Sequence, residues 1–392
     1  MGQKAVLLSG CFGLGHEMMM RCCAGLLERS GWQTRSLDSM ALLGPRHGAV
    51  GERLFAGLLA APGLYDGLHF AHLRTGSGLA NLMDRRAAAR LVPSLEADLE
   101  REPADLVLSV FATGASAAAK LKAKAPARRT VVLCTDVTLH RLWVCEGTDL
   151  FLVTSPAAAA SVRRFRPRAA VSVVPPPVRP AFYAAPSQAE ARTALGVPLD
   201  DPCLLVIDSG WGFGPVVESV SALAESGVQV LAVAGRQAAV ERRFRELART
   251  STRIRPFGFT DRVPELMAAA DVVVALPGAN TCNEARVVGR QLLLLDVMPG
   301  HGRDNLQHEL ELGGAEVCGP SSAGVTASAL ALLDEVPRPA PMAGSAPRWE
   351  PAYVAALQRV GLDLHPERPA EQTVGVGAPR QTPTVIEGDL PQ

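Results

Sequence analysis

One pattern recurs along this chain: a short apolar run, a turn built from Gly, Pro, Ser or Asp, and then a helical segment. Runs that are apolar throughout, without alternation, suit strands buried on both faces, which a parallel sheet covered by helices supplies. The pattern starts at Lys4–Ser9 and starts again at Cys203–Asp208, so it predicts an α/β chain of two facing Rossmann-like domains with a cleft between them. With 392 residues and 48% hydrophobic content, the chain can fill two cores.

The stretch Ala275–Asn305 carries the strongest chemical signal. Asp271–Ala275 reads as a buried strand, Pro277-Gly278-Ala279-Asn280 turns the chain, and Thr281 is placed to cap a helix from Cys282 to about Val288. A helix opened in this way presents unpaired N–H groups and a positive dipole end, which suits a phosphate. Glu284, one turn inside, could accept hydrogen bonds from ribose hydroxyls. Gly289 ends the helix, Gln291–Asp296 is the next strand, and Pro299–Asn305, with His301, reads as a polar loop at that strand's C-terminal end, where open α/β sheets bind ligands. The residues alone therefore predict a nucleotide site; a well-capped but silent βαβ unit is the plain alternative.

At the other end, Lys4–Ser9 is followed by a glycine turn with Gly13 and Gly15, then His16 and a helix from about Glu17 to Arg29. The turn lets a phosphate or sugar approach the backbone, but it is not G-x-G-x-x-G, so a nicotinamide site fits poorly. At a helix N-terminus the dipole keeps His16 neutral, as a general base must be; a capping or packing role is the other reading. Asp136 and His140 follow the strand Thr130–Thr135 as further partners for the chemistry or as a pair fixing the loop. Residues 40–90 are the least regular: Leu54–Tyr65 is apolar, interrupted by Pro62 and flanked by arginines, which suits an interfacial helix or ordinary packing. The proline-rich segment 175–183 reads as an interdomain connector. This divides the chain into 1–180, 181–345, a crossover helix within 346–365, and a Pro/Thr/Gly-rich tail, 366–392, expected to be disordered.

Formal charge is zero overall. Residues 1–180 contain 22 Lys/Arg and 14 Asp/Glu, a difference of +8, which leaves −8 for the remainder. A basic N-terminal half suits an anionic acceptor or membrane surface, or is a plain solvated face. The eight cysteines show neither C-x-x-C nor zinc spacing and are read as reduced thiols of a cytoplasmic chain, peripheral to the inner face of the cell membrane. No apolar run reaches the ~18 residues of a spanning helix. No nucleic-acid partner is expected.

Taken together, PG-x-x-T-x-x-EA with PG-x-x-x-x-N, the turn Gly13-Leu-Gly15-His16, and TD-x-x-x-H-x-x-W ending in Trp143 resemble the motifs of glycosyltransferase family 28 in its diacylglycerol-glycosyltransferase branch. The resemblance implies a GT-B fold. It implies that Gly13, Gly15 and Trp143 serve the acceptor, and that Asp136 and His140 face it. It also implies a Gly-rich loop, Gly210, Gly212 and Gly214, over the donor diphosphate, with Arg236 beside it. Phe259 and Val263 would grip the base, and Gly278, Ala279, Asn280, Thr281, Glu284, His301 and Asn305 would complete the donor site. The chain departs from the family where the sugar should sit: Leu276 replaces a Lys, Ala279 a Gly, and His301-Gly302 a Gln-Glu pair. His301 and Arg303 could therefore favour an acidic or modified sugar.

The expected reaction is inverting transfer of a hexose from a UDP-sugar to a hydroxyl acceptor, most simply a diacylglycerol-type lipid. His16 would act as base, and no metal or other cofactor is expected because no D-x-D occurs. A transferase for a soluble natural product, a sugar-nucleotide epimerase, and a non-catalytic UDP-sugar sensor are the competing readings.

Overall fold

A computed structural model describes residues 2–10, 14–44, 57, 61–208, 215–336 and 346–365. It contains two six-stranded sheets, and every strand pair in both is parallel. The N-terminal sheet comprises β1 (Lys4–Ser9), β2 (Gln33–Asp38), β3 (Leu106–Ser109), β4 (Arg129–Leu133), β5 (Leu150–Val153) and β6 (Val171–Val173), in the order β2-β1-β3-β4-β5-β6. The C-terminal sheet comprises β7 (Cys203–Ile207), β8 (Gln229–Val233), β9 (Ile254–Phe257), β10 (Val272–Ala275), β11 (Gln291–Leu295) and β12 (Ala315–Cys318), in the order β12-β11-β10-β7-β8-β9. The α/β architecture expected from the apolar runs is therefore observed. Central strands such as Ala5–Leu8 and Val272–Ala275 are buried on both faces, as the absence of alternation required.

The two orders reverse at different places: beside β1 and β3 in the first sheet, and beside β7 and β10 in the second. A reversal leaves a crevice at the strands' C-terminal ends because the flanking connections run to opposite faces. Helix α1 (Leu14–Arg29) follows β1, and helix α4 (Ala279–Val288) follows β10, so each stands at one crevice.

Three elements depart from the sequence reading. β2 has the polar sequence QTRSLD; as an edge strand it needs no continuous apolar run. Residues 62–101 are mostly helical: α2 (Pro62–Asp66), a wider helical turn over Gly67–Leu73, and α3 (Gly78–Arg101), whose N-terminus is capped by the Ser77 hydroxyl. Pro93 and the arginines of α3 obscure its buried stripe of Ala80, Ala88, Leu91, Leu95 and Leu99. From residue 62 on, the region expected to be irregular is thus largely helical. The reading of Leu54–Tyr65 as an interfacial helix falls largely outside the described residues, as does the tail 366–392.

Helix α5 (His301–Leu312) begins inside the expected polar loop Pro299–Asn305, which is instead a short turn leading into a helix. Helix α6 (Glu350–Gln358) crosses back: Trp349, Tyr353, Ala356 and Leu357 are buried in the core of the N-terminal sheet. Trp32 Nε1 donates to Asp363 O at 3.0 Å, fastening the segment beyond α6. Among the described residues, no helix is long and apolar enough to cross a membrane.

Candidate active site

A cleft of about 1440 Å³ lies between the domains, lined by residues of both crevices. That exceeds the ~300–1,000 Å³ usual for one small ligand, so a nucleotide and an acceptor could occupy it together.

On the C-terminal side, α4 opens at the cleft. Its N-terminal boundary corrects the expected cap: Gly278, not Thr281, precedes the helix, and no side chain caps it. The first closing bond runs from Cys282 N to Gly278 O, which turns the N–H groups of Ala279, Asn280 and Thr281 out of the helix end. Three outward amides and the positive dipole end suit an anion. Asn280 Nδ2 donates to Gly15 O at 2.9 Å, joining this helix end to the turn that carries His16. The Asn280 and Asn305 Oδ1 atoms are buried without a partner among the described residues, and Asn305 Nδ2 donates to Pro277 O at 3.1 Å. The Arg236 guanidinium lies 4.8 Å above the Phe259 ring, and Arg236, Phe259 and Val263 all line the cleft.

Glu284 lines the cleft, but its carboxylate already has a partner. Arg179, from the interdomain connector, donates to Oε1 through Nη2 at 2.9 Å and Nε at 3.1 Å. Burial pushes the Glu284 carboxyl up to about 7, against the opposing pull of Arg179. Oε2 remains available to a ligand hydroxyl.

On the N-terminal side, His16 is half-buried and its Nδ1 lies 3.0 Å from Val110 O and 3.4 Å from Thr135 Oγ1. A carbonyl can only accept, so Nδ1 carries the proton and Nε2 keeps its lone pair. Burial lowers the imidazole's pKa below its ordinary value, with His301 adding to the effect and Asp136 and Val110 opposing it. A neutral ring with a free Nε2 acceptor is what a general base requires. The edge of His16 also meets Phe111, with centroids 5.0 Å apart.

Asp136 faces three imidazoles. Burial disfavours its charge, but His140, His301, the Trp143 indole and His16 outweigh that and hold the carboxyl below its usual range. Trp143 Nε1 donates to Asp136 Oδ2 at 2.7 Å. Trp143 is itself 2% exposed and belongs to the core, so its expected contact with an acceptor is replaced by a hold on Asp136. His140 also stands behind Asp136, at 3.8 Å, and outside the cleft lining. Burial pushes it down to about 4, with His69 and His301 adding to the effect and Asp136 opposing it. His140 is thus a neutral support for Asp136 and not a group facing an acceptor.

His301 lines the cleft and Gly302 does not. Arg303 is turned away: its Nε meets Asp66 Oδ2 at 3.2 Å. The pairing anticipated between His301 and Arg303 for an acidic sugar is therefore not assembled. Gly15, Gly278, Ala279, Thr281 and Asn305 line the cleft. Gly13, Gly210, Gly212 and Gly214 lie outside the described residues. Sequence reasoning missed Arg179, Tyr65 and the Val110 carbonyl, whose partners lie 105, 236 and 94 residues away. Among the described residues no group of three or more His, Cys, Asp or Glu could hold a metal ion.

Comparison with known proteins points the same way. Residues 214–317 match the glycosyltransferase family 28 C-terminal domain, and residues 68–169 match monogalactosyldiacylglycerol (MGDG) synthase. The chain is similar to a processive diacylglycerol beta-glucosyltransferase of Bacillus pumilus, at 26% identity over 195 residues, covering 48% of this chain and 50% of the relative. It is also similar to monogalactosyldiacylglycerol synthase 3 of Arabidopsis thaliana, at 26% identity over 197 residues, covering 47% of this chain and 42% of the relative. The chain spans about half the length of the curated relatives it matches.

Among solved structures, MurG of Acinetobacter baumannii superposes with a TM-score of 0.54 at 14% identity, covering 91% of this chain and 95% of that one. Sucrose-phosphate synthase of Thermosynechococcus elongatus gives a TM-score of 0.54 at 15% identity, covering 91% and 96%. Both share the fold, two facing domains of the GT-B type.

Proposed function

We propose that this chain, which carries segments of two glycosyltransferase domains of the family 28 type, transfers a hexose from a UDP-sugar to a hydroxyl acceptor with inversion. The observation that carries the reading is the bond from Asn280 to Gly15 O. It sets a helix end with three outward amides beside the residue that precedes a neutral histidine. A leaving diphosphate needs the first, and an acceptor hydroxyl needs the second.

In this mechanism the acceptor hydroxyl donates to His16 Nε2 and attacks the anomeric carbon from the N-terminal side. As the C–O bond to the diphosphate breaks, the amides of Ala279, Asn280 and Thr281 take the growing charge. The proton moves to His16, and the imidazolium so formed is stabilised by Asp136, which stays ionised. Glu284 Oε2 would accept from a ribose hydroxyl. The helix end meets the diphosphate charge without a metal, so transfer should persist in a chelator.

A diacylglycerol acceptor is favoured because two relatives are named for diacylglycerol transfer. It is favoured also because α3 exposes Leu79, Leu82, Met83, Arg86 and Arg90 at helical spacing, with Leu64 exposed nearby. An exposed apolar stripe continued by arginines suits an anionic membrane surface. The test is UDP release over a matrix of UDP-sugars against diacylglycerol in anionic vesicles and small soluble alcohols. Turnover with vesicle lipid supports the reading. Turnover only with soluble acceptors moves it to natural-product transfer, and tight UDP binding without turnover on any pair indicates a sensor. Conversion of the UDP-sugar without an acceptor indicates an epimerase.

A further inference from the structure

The reversal of strand order beside β1 and β3 sets the connections after these two strands on either side of one crevice. The first connection leads into α1 and carries His16. In the second, Ser109 ends β3, and Val110 and Phe111 lead into a helix over Ala112–Leu121.

Ser109 is fully buried, and its hydroxyl donates to Phe111 O at 2.7 Å and accepts from Phe111 N at 3.3 Å. One side chain therefore holds both backbone groups of residue 111. Gly114 leaves room for it, since a Cβ there would stand 2.8 Å from Ser109 Oγ. Val110 N is bonded to Leu8 O at 2.9 Å, so both sides of Val110 are tied down while its own carbonyl meets His16 Nδ1 at 3.0 Å. Phe111 then lays its ring against the imidazole, with centroids 5.0 Å apart and planes at 78°. Gly10 keeps that place open: a Cβ there would lie 2.6 Å from Phe111 Cγ.

We infer that Ser109 and Phe111 are positioning residues for His16. The hydroxyl holds in place the carbonyl that keeps the proton on Nδ1, and the ring stops the imidazole from turning and shields it from water. This inference rests on the reading of His16 as base and adds the residues that make it one.

An imidazole whose Nδ1 proton is given to a carbonyl offers Nε2 as an acceptor, whereas a turned ring or the other tautomer offers a proton in its place. Water around the ring would favour imidazolium, which accepts nothing. Burial is the largest influence on His16; of the groups facing it, Asp136 and the Val110 carbonyl favour its charged form and His301 disfavours it. Phe111 carries no charge, so removing its ring changes the hydration of His16 and leaves those partners in place. Neither Ser109 nor Phe111 lines the cleft, so an effect of either on transfer must pass through the imidazole.

NMR of the histidine ring nitrogens in the whole protein tests this, with the His16 signals identified by their loss in His16→Ala. The wild type should show the proton on Nδ1. Phe111→Ala should raise the pH at which His16 titrates by about 0.5–1, and Phe111→Leu, which keeps the site dry, by less. Ser109→Ala should leave the two nitrogens averaged between tautomers. Gly10→Ala should disturb the ring alone but add nothing in a Phe111→Ala background. The Kd of UDP, measured by calorimetry, should stay within about twofold in every variant.

A His16 titration and tautomer unchanged in both Phe111→Ala and Ser109→Ala would overturn the positioning role. A parallel loss of UDP affinity would mark both as merely structural contacts and overturn it as well. If His16→Ala keeps its turnover, the base reading alone falls, and the ring signals still decide whether Ser109 and Phe111 hold the imidazole.

Discussion

The two cleft edges carry the same kinds of group but hold them differently. On the N-terminal edge, His16 is oriented by Val110 O and Asp136 by Trp143, all from its own domain. On the C-terminal edge, Glu284 is held by Arg179 of the connector, His301 by Tyr65 of the opposite domain, and Asn280 bonds across to Gly15. The groups proposed to move a proton are thus set within one folded unit, whereas those proposed to hold the donor are set only when the domains meet. That division suits a transferase, because a base preset in a rigid site needs little reorganisation. A donor site completed by closure would hold a nucleotide-sugar only in the arrangement in which it can react.

The comparison can be broken most sharply at His16. His16→Ala should lower kcat by about 10²–10⁴-fold, the usual worth of a general base, while the UDP Kd stays within about twofold. Loss of UDP binding in parallel would show that the two edges are not separable. Asp136→Asn comes next, at about 10–100-fold in kcat, the equivalent of one to two pKa units on His16. Because Asp136 raises the His16 pKa, its removal should move the acid limb of the kcat/KM profile to lower pH. A limb that does not move would detach Asp136 from the base.

Glu284 sharpens the other side. Glu284→Gln should raise the donor KM by about tenfold with kcat little changed, since it removes a ribose contact made in ground and transition states alike. Its pKa is raised on folding, so the stability it contributes is present at acid pH and is lost as pH rises through about 7. The variant should therefore be more stable than the wild type at pH 8, by about 1–3 kcal/mol, and close to it at pH 4. Urea unfolding at the two pH values measures this, and equal differences at both would place the carboxylate in a more polar setting. Arg179→Gln should move the pH dependence of UDP binding upward, because Arg179 favours the ionised carboxylate. Asn280→Ala should have the smallest effect, about 2- to 10-fold on UDP affinity for one interdomain hydrogen bond.

Much of this was legible in the sequence for a physical reason. Apolar runs such as Val272–Ala275 and Leu292–Leu295 can be satisfied only between two layers of helices, and glycine turns after them mark helix starts. His16, Asn280, Thr281, Glu284 and His301 were found from their places at strand ends. Helix α3 was hidden because its buried stripe of two alanines and three leucines is crossed by arginines and Pro93. Trp143 was placed beside an acceptor on the resemblance alone, and a motif does not record whether an indole in the turn Arg141–Trp143 faces the cleft or the core. The pairs Arg179–Glu284 and Tyr65–His301 left no local trace, since nothing in a strand-turn-helix pattern records which residue of a distant segment lies opposite it.

The most direct test of the central claim, that a base on one edge drives a single displacement on a donor held by the other, is the anomeric configuration of the first product. Proton NMR of the sugar transferred from an α-linked UDP-hexose should show a β-linked product from the first turnovers onward. An α-linked product would contradict the account, because retention cannot arise from one attack by a hydroxyl that His16 deprotonates.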